Sequence, residues 1–268
     1  MKIGVTIRNM GPESTPDMML KCAVAAEEAG MDSLWITDHI AIPPDDAEGS
    51  GGRYVDPLIT LAWLAKATSR IYLGTGVLIL PYRDALITAK QVASLQELSE
   101  ERFLLGVGIG WMDAEFQAVG VNRHKRGKIS DEVLGLLNQC FGSDVSERYG
   151  QEFIFRPRPK KPPIYIGGRA PHALQRAARY GDGWLPMGLQ PEEIENYRRS
   201  YEQMTSRFDR PRGSIHVMGG LALDYGVKLR TQIESYEAAG VDSYVCAIRY
   251  KDVDEYRRKL DSLASAIT

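Results

Sequence analysis

The stretch DSLWITDHIAIP, residues 32–43, runs through apolar residues and stops on a carboxyl and an imidazole, Asp38 and His39. A histidine of ordinary pKa, about 6.5, exchanges protons near neutral pH, and an acid beside it can stabilise its charged form. The pair therefore has the make-up of a proton-transfer site. An acid after a strand also caps the following loop through backbone hydrogen bonds, and a lone histidine is commonly structural, so position alone leaves both readings open.

A second kind of candidate is glycine placed where a flat or anionic ligand needs close backbone. PPIYIGGRAPHAL, residues 162–174, reads as a strand, a glycine pair and a helix start whose free N–H groups suit a phosphate, although Gly167 and Gly168 can equally well just turn the chain. LGVGIGW, residues 105–111, lacks the downstream ribose acid of a dinucleotide-binding unit. Its glycines suit a ring or phosphate, or plain strand-to-loop packing. Gly74 and Gly76 interrupt an apolar strand and mark a bulge or the close approach of another group. NRHKRGK, residues 122–128, is locally basic and could steer an anionic tail, with a solvated helix start as the simpler account. His124, His172 and His216 share no metal-ligand spacing with one another or with Asp38 and His39, so no metal is expected.

Composition bounds the setting. The 268 residues are 44% hydrophobic and 25% charged with a net charge of -2, which points to small-molecule partners rather than nucleic acid or a membrane surface. Cys22, Cys140 and Cys246 are odd in number and far apart, which fits a reducing cytoplasm better than a disulfide framework. MKIGVTIR enters a strand-like run directly, with no leader pattern, and no apolar run approaches a membrane span.

The elements that must position these groups alternate from end to end. Strands are expected at 3–7, 33–37, 71–79, 102–107, 163–166, 183–186, 215–223 and 242–247. Helices are expected at 16–29, 57–68, 84–99, 125–141, 171–180, 191–208, 226–239 and 252–266. Eight strand-then-helix units in a chain of this length predict an α/β fold, a (β/α)8 TIM barrel forming a single domain over 1–268. Reactive groups of that fold lie at the C-terminal strand ends, where Asp38, His39, Gly76, Val77, Gly108, Gly110, Gly167, Gly168 and Arg169 all fall. The long segments 41–56 and 142–162, the second with a short hairpin, are expected to border the barrel mouth.

Taken in order, AEEAGMDSLWITDHI, LGTGVLILPYRDALITAKQVASLQELS, LLGVGIGWMDAEFQAVG, RGKISDEVL and PPIYIGGRAPHALQRAARYGDGWLP resemble the bacterial-luciferase-like superfamily of flavin- and deazaflavin-dependent oxidoreductases. The resemblance covers residues 1 to about 190; the C-terminal quarter has only the barrel rhythm. Asp38–His39 and GTGVLILPYR resemble the branch that uses coenzyme F420, a deazaflavin that carries hydride only.

That resemblance implies His39 beside the reactive ring carbon, as acid/base or ring-orienting donor, and a cis peptide at Gly76–Val77 forming a bulge behind the ring. It implies that Gly108, Gly110, Gly167, Gly168 and Arg169 hold the ribityl phosphate, and that the protein is a homodimer packed through helices of the second and third units. Ile109 and Trp111 stand where some deazaflavin enzymes have a hydroxyl residue and an acid, and 142–162 is short, which suggests an open pocket. The function implied is hydride transfer between F420 and a small organic substrate. The alternatives are an FMN-dependent monooxygenase using molecular oxygen and, motivated by Trp111, a non-catalytic flavin-binding protein. Substrate choice is expected to rest with the loops 40–56, 111–124 and 142–162.

Overall fold

Helix starts are written locally into the chain. Thr15 accepts a hydrogen bond from the Met18 N–H, Asp56 from Leu58 and Ile59, and Asp84 from Leu86 and Ile87, while Pro16, Pro57 and Pro191 open their helices with a preset φ. The resulting elements were obtained in a computed structural model that describes residues 1–47 and 49–267.

The strands are β1 (Lys2–Thr6), β2 (Ser33–Ile36), β3 (Tyr72–Thr75), β4 (Leu78–Ile79), β5 (Phe103–Gly108), β6 (Val145–Arg148), β7 (Gln151–Ile154), β8 (Ile164–Gly167), β9 (Gly183–Leu185), β10 (Ser214–Gly219) and β11 (Ser243–Cys246). The helices are α1 (Pro16–Glu28), α2 (Pro57–Ala67), α3 (Ala85–Leu98), α4 (Asp113–Ala118), α5 (Arg126–Gly142), α6 (His172–Tyr180), α7 (Pro191–Ser206), α8 (Gly226–Ala238) and α9 (Val253–Ile267).

All barrel pairings are parallel, in the order β3-β2-β1-β11-β10-β9-β8-β5-β4, and a further β3–β5 pairing closes the ring. With β3 and β4 counted as one broken strand, this is the predicted eight-stranded TIM barrel. Two layers of core follow. A large shell of Val, Ile, Leu and Ala side chains lies between strands and helices, and a smaller cluster of Trp35, Tyr165, Leu185, Met218 and Val245 is buried separately from it. Gly74 belongs to that smaller cluster's packing: a Cβ there would lie 2.5 Å from the Trp35 ring, so the group lying against the third strand is an indole and not a ligand.

The expected strand 71–79 is two pieces. Gly74 pairs with Leu104 and Leu78 with Val107, so the three residues 75–77 face only two on β5. This is a β-bulge of one extra residue, and the Gly76–Val77 peptide within it is cis. The expected strand 215–223 stops at Gly219, and the short helix α4 lies where no helix was expected. The expected hairpin in 142–162 exists as β6–β7; its Arg148 reaches Asp84 at the start of α3 (2.9 Å).

Candidate active site

The C-terminal ends of β2, β4, β5, β8, β9 and β10 surround a cavity of about 380 Å³ at the barrel mouth. Asp38, His39, Gly76, Val77, Gly108, Gly110, Gly167 and Gly168 all line it, beside Ile79, Ile109, Trp111, Leu185, Met187 and Met218. Arg169 does not; it is exposed on the loop before α6. The hairpin of 142–162 contributes nothing to this lining, and 41–56 meets the site through Tyr54, whose ring lies edge-on to His39 at 4.9 Å, and through Ala41. The expectation that both segments border the mouth holds for 41–56 alone, because the hairpin of 142–162 packs outside the barrel, with Arg148 on Asp84 at the start of α3.

Asp38 and His39 are neighbours with separate duties. Successive side chains leaving a strand point to opposite sides. Asp38 is buried and turns to Arg83, accepting from Nη1 at 2.7 Å and Nη2 at 2.9 Å, and it accepts the Ile79 N–H at 2.8 Å. Burial pushes its carboxyl above the ordinary range, with Arg83 and the Ile79 N–H pulling the other way. Asp38 thus ties the end of β2 to the segment after the bulge and does not pair with His39.

The acid that does is Glu115, on α4. Its Oε2 lies 2.7 Å from His39 Nδ1, and its Oε1 accepts the N–H groups of Ile40 (2.7 Å) and Ala41 (3.1 Å). The Tyr82 hydroxyl donates to Oε2 at 3.1 Å. Burial disfavours charge on Glu115, but the Ile40 N–H, the His39 ring and the Ala41 N–H outweigh it and hold the carboxyl below its usual range. An ionised Glu115 accepts the Nδ1 proton, which leaves His39 Nε2, unpaired among the described residues, as the nitrogen able to accept or return a proton. Burial and then the Glu115 charge raise the Tyr82 phenol, so it stays a protonated donor.

Sequence reasoning missed Glu115, although one signal was present. An acid set directly before Phe116 and two residues after Asp113, in a stretch that becomes a helix against β2's end, is fully buried while Asp113 is not. Asn9 was missed too: its amide donates to Thr37 O and Val55 O and accepts from the Thr37 N–H, fixing the backbone that carries Asp38 and His39.

The glycines have a packing reason of their own. A Cβ at Gly108 would lie 2.6 Å from Val77 Cγ2, and one at Gly167 2.7 Å from Val77 Cγ1. Both positions must be bare for Val77 to sit between them. A Cβ at Gly76 would lie 2.4 Å from Met218 Cε. The result is a mouth whose wall at the bulge is backbone and small apolar groups, a cradle that admits a flat ring and that added Cβ atoms would fill. No group of three or more His, Cys, Asp or Glu suited to a metal occurs among the described residues.

The chain belongs to the luciferase-like monooxygenase family, whose profile matches residues 1–255. It is an oxidoreductase of that family. An uncharacterized protein of Mycobacterium tuberculosis is 35% identical over 232 residues, 77% of this chain and 78% of that one. An F420-dependent glucose-6-phosphate dehydrogenase of Kineococcus radiotolerans is 34% identical over 182 residues, 63% of this chain and 52% of that one. Among solved structures, the monooxygenase RslO1 of Streptomyces bottropensis superposes with a TM-score of 0.83 at 18% identity, over 100% of this chain and 98% of that one. An F420-dependent secondary alcohol dehydrogenase in complex with an F420-acetone adduct gives 0.80 at 16%, over 99% and 98%. At such identities the structures share the fold.

Proposed function

We propose that the protein transfers a hydride between coenzyme F420 and a small organic substrate at the barrel mouth. The observation that carries this is His39, tied at Nδ1 to a buried, ionised Glu115 and offering Nε2 beside an apolar cavity of about 380 Å³. The names of the curated relatives support the choice of deazaflavin. When bound, the deazaflavin supplies a two-electron hydride acceptor or donor. For an alcohol substrate, His39 Nε2 takes the hydroxyl proton as the carbinol carbon gives up its hydride, and the C–O bond becomes a carbonyl; the reverse direction returns the proton. Glu115 stabilises the imidazolium formed in between. Ile79, Ile109, Leu185 and Met218 keep water from the reacting atoms, and Gly76, Val77, Gly108 and Gly167 shape the wall that would hold the ring.

Fluorescence quenching with F420 and with FMN tests the reading. Micromolar F420 binding is expected; FMN binding without F420 binding would replace it by the FMN-dependent monooxygenase that the family description also allows. A non-catalytic flavin-binding role, which Trp111 keeps in play by standing 64% exposed at the rim 6.3 Å from the His39 ring, is removed by turnover that His39→Ala abolishes while cofactor binding survives.

The same reading includes a homodimer through the second and third units. Ile59 and Trp63 on α2 and Ile87 on α3 are 70%, 41% and 61% exposed, which supports that face as the contact. Sedimentation showing a single-barrel mass at micromolar concentration would remove it. Three buried cysteine thiols, all free, support a cytoplasmic setting. None of the described helices is long and apolar enough to cross a membrane.

A further inference from the structure

Most of the polar side chains that line the mouth cavity are already spent. Thr37 Oγ1 donates to Asn9 Oδ1 at 3.0 Å, and the Asp38 carboxyl is fully buried on Arg83 and the Ile79 N–H. No Lys or Arg lines the cavity among the described residues. What is left to bond a ligand is His39 Nε2 and the indole N–H of Trp111. A carboxylate or phosphate entering here would lose its water with no fixed cation to replace it.

The outer edge of the same cavity is apolar and wet. Trp111 and Met187 both line it, and they are 64% and 65% exposed. Both are held in place by their backbones. Before Trp111 the chain turns at Gly110, φ +74°, where a Cβ would lie 2.9 Å from Ile79 and 3.1 Å from Phe116; after it Met112 is buried. The segment that brings Glu115 to His39 therefore also sets the indole, 6.3 Å from the imidazole and at 83° to it. Met187 is bridged to Met218, with the Gly188 N–H on Met218 O at 2.8 Å and the Met218 N–H on Pro186 O at 3.0 Å. Large apolar surface kept in water at the lip of a cavity gains by covering a ligand, and a thioether on three rotatable bonds adapts to ligands of different shape.

We propose that the substrate is an uncharged carbinol or carbonyl compound whose apolar body lies on Trp111 and Met187 while its oxygen faces His39 Nε2, and that these two side chains set specificity. Charge is refused, and the size of the apolar body is read loosely. The inference rests on the hydride-transfer reading above and names its substrate class.

Calorimetric titration of the methyl ketones from 2-butanone to 2-octanone, and of a keto acid matched in length to the longest, tests this on the protein with and without F420. The dissociation constant is expected to fall roughly threefold per added methylene. The keto acid should bind at least roughly tenfold more weakly than its neutral counterpart. Trp111→Ala and Met187→Ala should each flatten the methylene series, Trp111→Phe should restore most of it, and F420 affinity by fluorescence quenching should stay unchanged throughout. Both side chains are exposed, and thermal unfolding checks the fold. With the matching alcohols in turnover, Trp111→Ala should raise KM for the longest more than it lowers kcat. A wild-type series without length dependence, ketones that do not bind at all, or a keto acid bound as tightly as the ketone overturns the proposal. So does a series left intact in both alanine variants, or loss of F420 binding in Trp111→Ala, which would give the indole to the cofactor. Failure of F420 to bind wild type, with the ketone series and its loss in the variants as expected, overturns the deazaflavin reading and leaves the apolar grip standing.

Discussion

His39 and Glu115 are 76 residues apart in the chain and 2.7 Å apart in the fold. The contact joins the end of β2 to a six-residue helix, and the same carboxylate also holds the two N–H groups that follow His39. The imidazole is thereby fixed in tautomer and in orientation by one buried acid.

Removal of the proton acceptor should show as a loss of turnover. His39→Ala is expected to lower kcat by roughly 10²–10⁴ with cofactor affinity retained. Glu115→Gln, acting through His39, should cost roughly tenfold or more. Because the two work as a unit, the double variant should be no slower than His39→Ala alone. Additive losses in a steady-state assay with F420 and an alcohol or ketone panel would show that Glu115 has a separate task.

Asp38 and Arg83 form a buried bidentate pair, so their contribution is to stability. Arg83→Met strands the Asp38 carboxylate without its guanidinium, and a loss of about 3–5 kcal/mol in urea unfolding is expected. Asp38→Asn, which keeps an acceptor for the Ile79 N–H, should be milder. An unchanged midpoint for Arg83→Met would contradict the burial of the pair.

Gly108 is bare because Val77 needs the room. Gly108→Ala should destabilise the barrel by about 1–3 kcal/mol and weaken ring binding. In the double variant Val77→Ala/Gly108→Ala the methyl at 2.6 Å is gone and only the Val77 Cβ at 3.6 Å remains, an ordinary contact. Stability should recover. If it does not, Gly108 is bare for some reason other than Val77.

His216 lies buried on Tyr165, ring centroids 3.9 Å apart, with Nε2 on Ser214 Oγ and Nδ1 unpartnered. Burial, opposed weakly by Asp242, lowers it from 6.5 to about 4. The unfolded chain therefore binds this proton more readily than the folded one between those values. The contribution of His216 to stability is constant above about pH 6.5, falls as pH drops toward 4 and levels off below, a loss of about 3 kcal/mol in all and about 2 kcal/mol by pH 5. His216→Gln should flatten that part of the stability profile in urea titrations at pH 7 and pH 5.

Much of this was legible beforehand because it follows from local rules. Helices opened by Thr15–Pro16, Asp56–Pro57 and Asp84 fall within a residue or two of their expected ends, and apolar strands such as FLLGVG announce a sheet covered on both sides. The place of His39 at the mouth followed from the barrel. What stayed hidden depends on contacts between distant segments. Nothing near Glu115 says that its partner is His39, and nothing near Asp38 says that it turns to Arg83. The break after Thr75 is visible only against β5, since alternation along a single apolar strand cannot register one surplus residue.

That surplus residue gives the third strand one position more than its ladder needs. Side chains alternate along a strand with a period of two, so the extra position between Thr75 and Leu78 inverts the parity of everything downstream. Deleting one residue there would leave Leu78 opposite Val107 and Ile79 opposite Gly108 in a regular ladder, so Ile79 and Arg83 would keep their hold on Asp38 and only the bulge beside the cavity would be lost. The loss of a single codon would therefore flatten the wall that Gly76 and Val77 give the cavity while sparing the rim on which His39 stands.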